Sequence, residues 1–208
     1  MNQRTMIIVA GGSSTRFGSD KLLARVNQKA VLNHTIDAIA PFVDQIVLVV
    51  RSELIEQFRS PGLIVVAGGE NRTYSETNGI AASPPSTLIG IHDGARPAVS
   101  RQLIDSLFEE AALTGGAIPG LEPDGLGIDN EVVHPTRGPI RVQTPQVFWG
   151  PELKAAYAAA ARTGYTGPDT MAVVHEFTNL EVTVIPGDPA NIKVTHPEDL
   201  DGLIIGNS

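Results

Sequence analysis

Short runs of apolar, β-branched residues alternate with amphipathic stretches along most of the chain. Met6–Ala10, Gln45–Val50, Leu63–Ala67, Thr87–His92 and Ala117–Ile118 with its flanks read as strands. Their apolar residues are consecutive rather than alternate, as expected for strands covered on both faces. Between them, Leu32, Ile36 and Ile39 share one helical face within residues 30–40. Leu103, Ile104, Leu107, Phe108 and Ala111 share another within 100–113, where Ser100 stands ready to cap the first turn. Further on, the pattern predicts a helix at 151–162 and a strand at 182–185. It also predicts a last helix opened by Thr195-His196-Pro197-Glu198-Asp199, with proline and acids in its first turn. Strands and helices in alternation, joined by short connections, predict an α/β fold with a doubly wound, mostly parallel sheet.

Such sheets bind ligands beyond the carboxyl ends of their strands. Three segments occupy that position. The first is Ala10-Gly11-Gly12-Ser13-Ser14-Thr15-Arg16-Phe17-Gly18-Ser19-Asp20-Lys21. Small residues let consecutive backbone N–H groups close on a phosphate, and Arg16 and Lys21 add positive charge there. A Gly/Ser-rich turn with two solvated cations is the competing reading. No Gly-Lys-Ser/Thr and no Gly-x-Gly-x-x-Gly is present, so the segment is neither of the two common phosphate-binding signatures. The second segment is Gly68-Gly69-Glu70-Asn71-Arg72-Thr73-Tyr74-Ser75, with Ser75 placed as an N-cap of the next helix. The third is His92-Asp93-Gly94-Ala95-Arg96-Pro97. There Asp93 can hold Mg²⁺ or a substrate hydroxyl, and Arg96 can fork onto a phosphate. Equally, the two can pair with each other in a simple turn. Near the end, Lys193 in Gly187-Asp188-Pro189-Ala190-Asn191-Ile192-Lys193 follows a turn that can return it to the cleft.

The composition of the 208 residues is that of an ordinary globular chain: 42% hydrophobic, 18% charged, formal net charge -8. One domain is expected. The acidic balance argues against a nucleic-acid partner. No apolar run reaches membrane length, which argues against a membrane partner. There is no cysteine, which excludes thiolate chemistry and fits a cytoplasmic setting. The five histidines lack metal-ligand spacing, and no Gly-x-Ser-x-Gly elbow marks a hydrolase. Residues 120–141, with four glycines and three prolines, break the pattern and read as a long surface loop or a projecting arm.

Four later motifs narrow the reading. They are Arg72-x-x-Ser75-x-x-x-Gly79, His92-Asp93-Gly94-Ala95-Arg96-Pro97, Gln143-Thr144-Pro145-Gln146-Val147-Phe148, and Gly187-Asp188-Pro189-x-Asn191-Ile192-Lys193-Val194-Thr195-x-Pro197-Glu198-Asp199-Leu200. With the first loop, and in this order, they resemble the 2-C-methyl-D-erythritol 4-phosphate cytidylyltransferases over nearly the whole chain. The first loop alone also resembles molybdenum-cofactor and sugar nucleotidyltransferases. The family resemblance implies a Rossmann-like fold and the transfer of CMP from CTP to a polyol phosphate, with pyrophosphate released and Mg²⁺ as cofactor. By motif it implies that the backbone of Ala10, Gly11, Gly12, Ser13, Ser14 and Thr15 cradles CTP. Arg16 and Lys21 would stabilise charge at the α-phosphate, and Gly69, Glu70 and Ser75 would lie near the cytosine and ribose. Asp93 and Arg96 would face the polyol phosphate and the metal-bound triphosphate. Lys193, together with Arg137 from the arm, would position the attacking phosphate, with Arg141 the competitor of Arg137. It implies too a homodimer whose arms cross between subunits.

Two departures bear on the acceptor. The family's Asp-Thr-Ile/Leu-Lys in the arm is Asp124-Gly125-Leu126-Gly127 here, and its Thr-Asp-Asp/Glu is Thr166-Gly167-Pro168-Asp169-Thr170. They leave a ribitol 5-phosphate (or other alditol phosphate) cytidylyltransferase as the nearest alternative, and a catalytically inactive nucleotide-binding module as a further one.

Overall fold

The computed structural model describes residues 3–12, 17, 20–122, 126–129, 132–135, 140–201 and 203, with 126–129 and 132–135 as backbone. The elements in chain order are β1 (Arg4–Ala10), β2 (Arg25–Val26), β3 (Lys29–Ala30), α1 (Val31–Ile39), β4 (Gln45–Val50), α2 (Ile55–Phe58), β5 (Leu63–Ala67), α3 (Arg72–Ala82), β6 (Leu88–Asp93), α4 (Arg101–Thr114) and β7 (Gly115–Leu121). Then follow β8 (Leu126–Asp129), β9 (Val132–Pro135), β10 (Arg141–Val142), β11 (Gln146–Trp149), α5 (Gly150–Thr163), α6 (Thr170–Phe177) and β12 (Glu181–Pro186).

An eight-stranded sheet forms the centre. β5, β4, β1 and β6 run parallel side by side. β11 enters antiparallel between β6 and β7, and β12 closes the far side parallel to β7. The apolar runs become these strands because both faces of the sheet are covered. On one face Met6, Ile8 and Leu48 meet Leu32 of α1 and Ile104, Leu107 and Phe108 of α4. On the other, Ile7, Val47 and Val49 meet Ile80 of α3, Leu153 and Tyr157 of α5, and Val173 of α6. The expected α/β, Rossmann-like, mostly parallel architecture is therefore observed. Its chain order reverses between β1 and β6, which opens a crevice at their carboxyl ends.

One irregularity shapes that crevice. β10 and β11 both run antiparallel to β7, but five residue steps from Val142 to Val147 oppose only three from Gly120 to Ala117. The two extra residues fall in Gln143-Thr144-Pro145, a bulge that turns these side chains out of the ladder. Its Thr144–Pro145 bond is cis.

Several local expectations are corrected. After the first loop the chain forms a short hairpin, β2–β3. Asn27 and Gln28 of its turn both have positive φ, as a tight hairpin requires. The last helix is one 3₁₀ turn, Pro197–Leu200. At its start Asp199 folds back to accept the amides of Thr195 (2.7 Å) and His196 (2.8 Å), a capping box that fixes where the turn begins. The cap of α3 is Asn71, whose side chain accepts from Tyr74 N at 2.9 Å. Ser75 sits inside the helix. The cap at Ser100 is observed, accepting from Leu103 N at 3.3 Å. Within residues 120–141, β8 and β9 pair antiparallel in a two-stranded sheet of their own.

Candidate active site

The crevice holds a cavity of about 340 Å³ walled by the ends of β1 and β6 and the start of α3. Ala10, Gly11 and Gly12 line it on one side, and Gly69, Glu70 and Ser75 on another. Lys21, Asp93 and Lys193 converge from the loops. The sequence thus nominated residues from four distant segments that the fold brings to one place. Ser13, Ser14, Thr15, Arg16 and Arg137 lie outside the described residues.

The glycine at 69 is required by its neighbour. A Cβ there would lie 2.4 Å from Tyr74 Cβ, because the chain doubles back at the helix start. Ser75 Oγ ties this turn closed. It accepts from Gly69 N at 3.0 Å and donates to Asn71 O at 2.9 Å.

Asp93 is the electrostatic centre. Its Oδ1 receives Arg72 Nη1 at 2.6 Å, while its Oδ2 receives Lys193 Nζ at 2.9 Å and Arg96 Nε at 3.3 Å. Burial alone would raise its pKa, but the charges of Arg72, Lys193 and Arg96 outweigh that and hold it well below the usual carboxylate range. Arg72 shows the same balance. Burial works against its charge, but Asp93 and Glu76 more than compensate and raise it. Arg96 moves the other way, lowered by burial that Asp93 only partly offsets.

The expectation that Asp93 ligates Mg²⁺ fits this geometry poorly. Both of its oxygens are engaged by cations, and among the described residues no three acidic or histidine side chains gather to hold a metal. The described residues do not form a protein cage for a divalent ion.

His92 fixes the backbone around Asp93. Its ring is fully buried, and burial lowers its pKa to about 4, so it is neutral at physiological pH. Nε2 lies 3.1 Å from Arg96 O. A carbonyl only accepts, so Nε2 carries the proton. Nδ1 is left to accept from Thr144 Oγ1 at 3.2 Å, and that hydroxyl accepts from Asp93 N at 3.0 Å. The bulge between β10 and β11 thereby holds the end of β6.

The loop carrying Lys193 is fastened at several points. Asn191, fully buried, donates to Thr144 O at 2.8 Å, and its own carbonyl accepts from Arg96 Nη1 at 2.8 Å and Gln143 Nε2 at 3.1 Å. Val194 N donates to Ala95 O at 2.8 Å, and Val194 O accepts from Lys21 Nζ at 3.0 Å. Lys193 is therefore a placed cation, not a solvated surface lysine.

Arg96 does not line the first cavity. With Arg141, Gln143 and Lys193 it lines an adjacent cleft of about 520 Å³. Among the described residues, Lys193 alone borders both. Sequence reading assigned no role to Arg72, Glu76, Thr144 or Asn191. The spacing of Arg72 and Glu76, one turn apart on a helix, was the one signal available for that pair.

An open α/β sheet with a small-residue loop and a cation-lined cavity at its switch point is the construction of a nucleotide-handling enzyme. The sequence model described as IspD, 2-C-methyl-D-erythritol 4-phosphate cytidylyltransferase, matches residues 5–203, and the chain belongs to that family of CTP-dependent nucleotidyltransferases. The chain is 34% identical to the 2-C-methyl-D-erythritol 4-phosphate cytidylyltransferase of Solibacter usitatus, over 94% of this chain and 92% of that protein. It is 36% identical to that of Dehalococcoides mccartyi, over 93% and 91%. Among solved structures, 4-diphosphocytidyl-2C-methyl-D-erythritol synthase from Anaerococcus prevotii superposes with a TM-score of 0.80 at 25% identity, covering 96% of this chain and 95% of that one. The cytidylyltransferase from Thermus thermophilus gives 0.76 at 27%, covering 94% of each.

Proposed function

We propose that the chain joins CMP from CTP to 2-C-methyl-D-erythritol 4-phosphate and releases pyrophosphate. The observation that carries this reading is the position of Lys193, bordering both the cavity built by the small-residue loop and the neighbouring cleft with Arg96. CTP takes the first, with the backbone of Ala10 to Thr15 around it and the turn at Gly69, Glu70 and Ser75 beside the base and ribose. The polyol phosphate takes the second, against Arg96 and Lys193.

A phosphate oxygen of the acceptor attacks the α-phosphorus of CTP. A new P–O bond forms, the bond to the β-phosphate oxygen breaks, and pyrophosphate leaves. The attacking oxygen is already anionic, so no general base is needed, and a neutral, buried His92 is consistent with that. Catalysis rests on positioning and on charge stabilisation by Lys21 and Arg16. Asp93 keeps Lys193 and Arg96 in register between the two substrates. A magnesium ion brought in with the triphosphate would supply charge neutralisation; no step is assigned to a protein-held metal.

The arm supports a further part of the reading, a cytoplasmic homodimer in which Arg137 of one subunit completes the acceptor site of the other. No helix among the described residues is long and apolar enough to cross a membrane. The test is product analysis. Purified protein with CTP, Mg²⁺ and 2-C-methyl-D-erythritol 4-phosphate should yield one pyrophosphate per cytidine diphosphate-linked polyol, seen as paired diphosphate resonances by phosphorus NMR. Nucleotide binding without that product would instead support an inactive binding module.

A further inference from the structure

Arg72 has no part in the transfer as described, yet it spans two carboxylates. Nη1 meets Asp93 at 2.6 Å, and Nε lies 2.8 Å from Glu76 Oε1, an ion pair whose angle departs from hydrogen-bond geometry. Glu76 is 0% exposed. Its Oε1 accepts from Thr170 Oγ1 at 3.0 Å, and its Oε2 accepts from the Tyr157 hydroxyl. Thr170 opens α6, and Tyr157, 1% exposed, sits on α5. Three helices thus converge on one carboxylate behind the cavity wall. Thr73 reinforces the junction, exchanging hydrogen bonds with Gly167 N (3.2 Å) and O (3.3 Å).

A buried carboxylate is a poor investment in stability alone, since apolar side chains of similar volume usually serve as well or better. Burial pushes the Glu76 carboxyl above its ordinary range, while Arg72, Tyr157 and Thr170 pull it back. The cavity supplies a reason for it. Arg72 is part of the wall that faces the nucleotide, and a triphosphate competes with Asp93 for its guanidinium. If Arg72 swung onto the phosphates, Asp93 would lose its shortest contact, and the placement of Lys193 would loosen with it.

Resting on the cytidylyl-transfer reading, we propose that Glu76, clamped by Tyr157 and Thr170, is a positioning residue. It anchors Arg72 from behind, so that Arg72 stays on Asp93 when CTP binds and Lys193 keeps its place for the attack. The role is kinetic: it separates turnover from nucleotide binding.

The experiment compares Glu76→Gln, Tyr157→Phe and Thr170→Val with wild type by steady-state pyrophosphate release, CTP dissociation constant and melting temperature. Wild-type activity is the check on the underlying reading, and its absence would sink that reading rather than this one. With an active wild type, Glu76→Gln should lower kcat by ~10-fold or more while CTP binds equally well or more tightly. Tyr157→Phe and Thr170→Val, which each delete one bond and keep the side-chain volume, should give smaller losses of kcat in the same direction. In an Arg72→Met background, Glu76→Gln should have no further effect on kcat. Folded variants with wild-type kcat, or a Glu76→Gln loss undiminished in the Arg72→Met background, would overturn the proposal. So would a loss confined to melting temperature.

Discussion

Lys193 places its ammonium 2.9 Å from Asp93 Oδ2, joining the loop after β12 to the end of β6. The contact ties the last crossover of the chain to the switch point of the sheet. It explains how a lysine that looks ordinary in sequence acquires a fixed direction. It also sets the charge pattern of the crevice, one carboxylate ringed by three cations, which leaves net positive charge for an anionic substrate.

Lys21 should separate binding from turnover. Its ammonium is held by Val194 O in the cavity wall, close to where phosphate charge accumulates in the proposed reaction. Lys21→Ala should lower kcat on the order of 10²–10³-fold, by analogy with other groups that stabilise developing charge, with the CTP dissociation constant changed far less. Unaltered turnover, measured by pyrophosphate release, would remove Lys21 from the mechanism.

Asn71 links stability to nucleotide binding. Its side chain caps the helix that carries Arg72 and Ser75 into the cavity. Asn71→Ala should cost about 1 kcal/mol by urea denaturation and should also raise the CTP dissociation constant, since the turn at Gly69 is tied to the same backbone. Asn71→Asp should restore stability. A stability loss without any change in CTP affinity would place the cap outside the site.

His92 predicts the acid side of the stability curve. In the unfolded chain the imidazole takes up a proton near pH 6.5, but in the folded protein only near about 4. Between those values the unfolded state binds more protons, so stability falls as pH falls, by roughly 2 kcal/mol between pH 6.5 and 5. Asp93, with its depressed pKa, adds its own loss only below the ordinary carboxylate range. Urea denaturation of wild type and His92→Gln at the two pH values isolates the histidine, because any slope common to both chains, that of Glu76 included, cancels in the difference. Equal slopes would mean that His92 charges freely in the folded state.

Much of this was legible in the sequence because it depends on local pattern. The apolar runs at 6–10 and 45–50 became β1 and β4, and Ser100 became a cap. The small-residue segments after β1, β5 and β6 met in one cavity, because a doubly wound sheet gathers the ends of its strands. What escaped reading depends on partners remote in the chain. The bulge at Gln143-Thr144-Pro145 exists only relative to the register of β7. Glu76 looked like one more polar helix residue until Tyr157 and Thr170 closed over it. Ser75 was a plausible cap by type, but Asn71 occupies the position where the backbone enters the helix. Asp93 was a natural metal ligand by type, and the three cations that occupy it come from α3, the turn after β6 and the loop after β12.

The acceptor decides the central claim. Pyrophosphate release should be measured side by side with 2-C-methyl-D-erythritol 4-phosphate and with ribitol 5-phosphate, at equal CTP and Mg²⁺. Turnover with the methylerythritol phosphate, and little or none with ribitol phosphate, is the expected result, and makes the altered segments at 124–127 and 166–170 tolerated variations within the family. Turnover with ribitol 5-phosphate alone would contradict it, leaving the transfer chemistry in place but assigning it to another polyol.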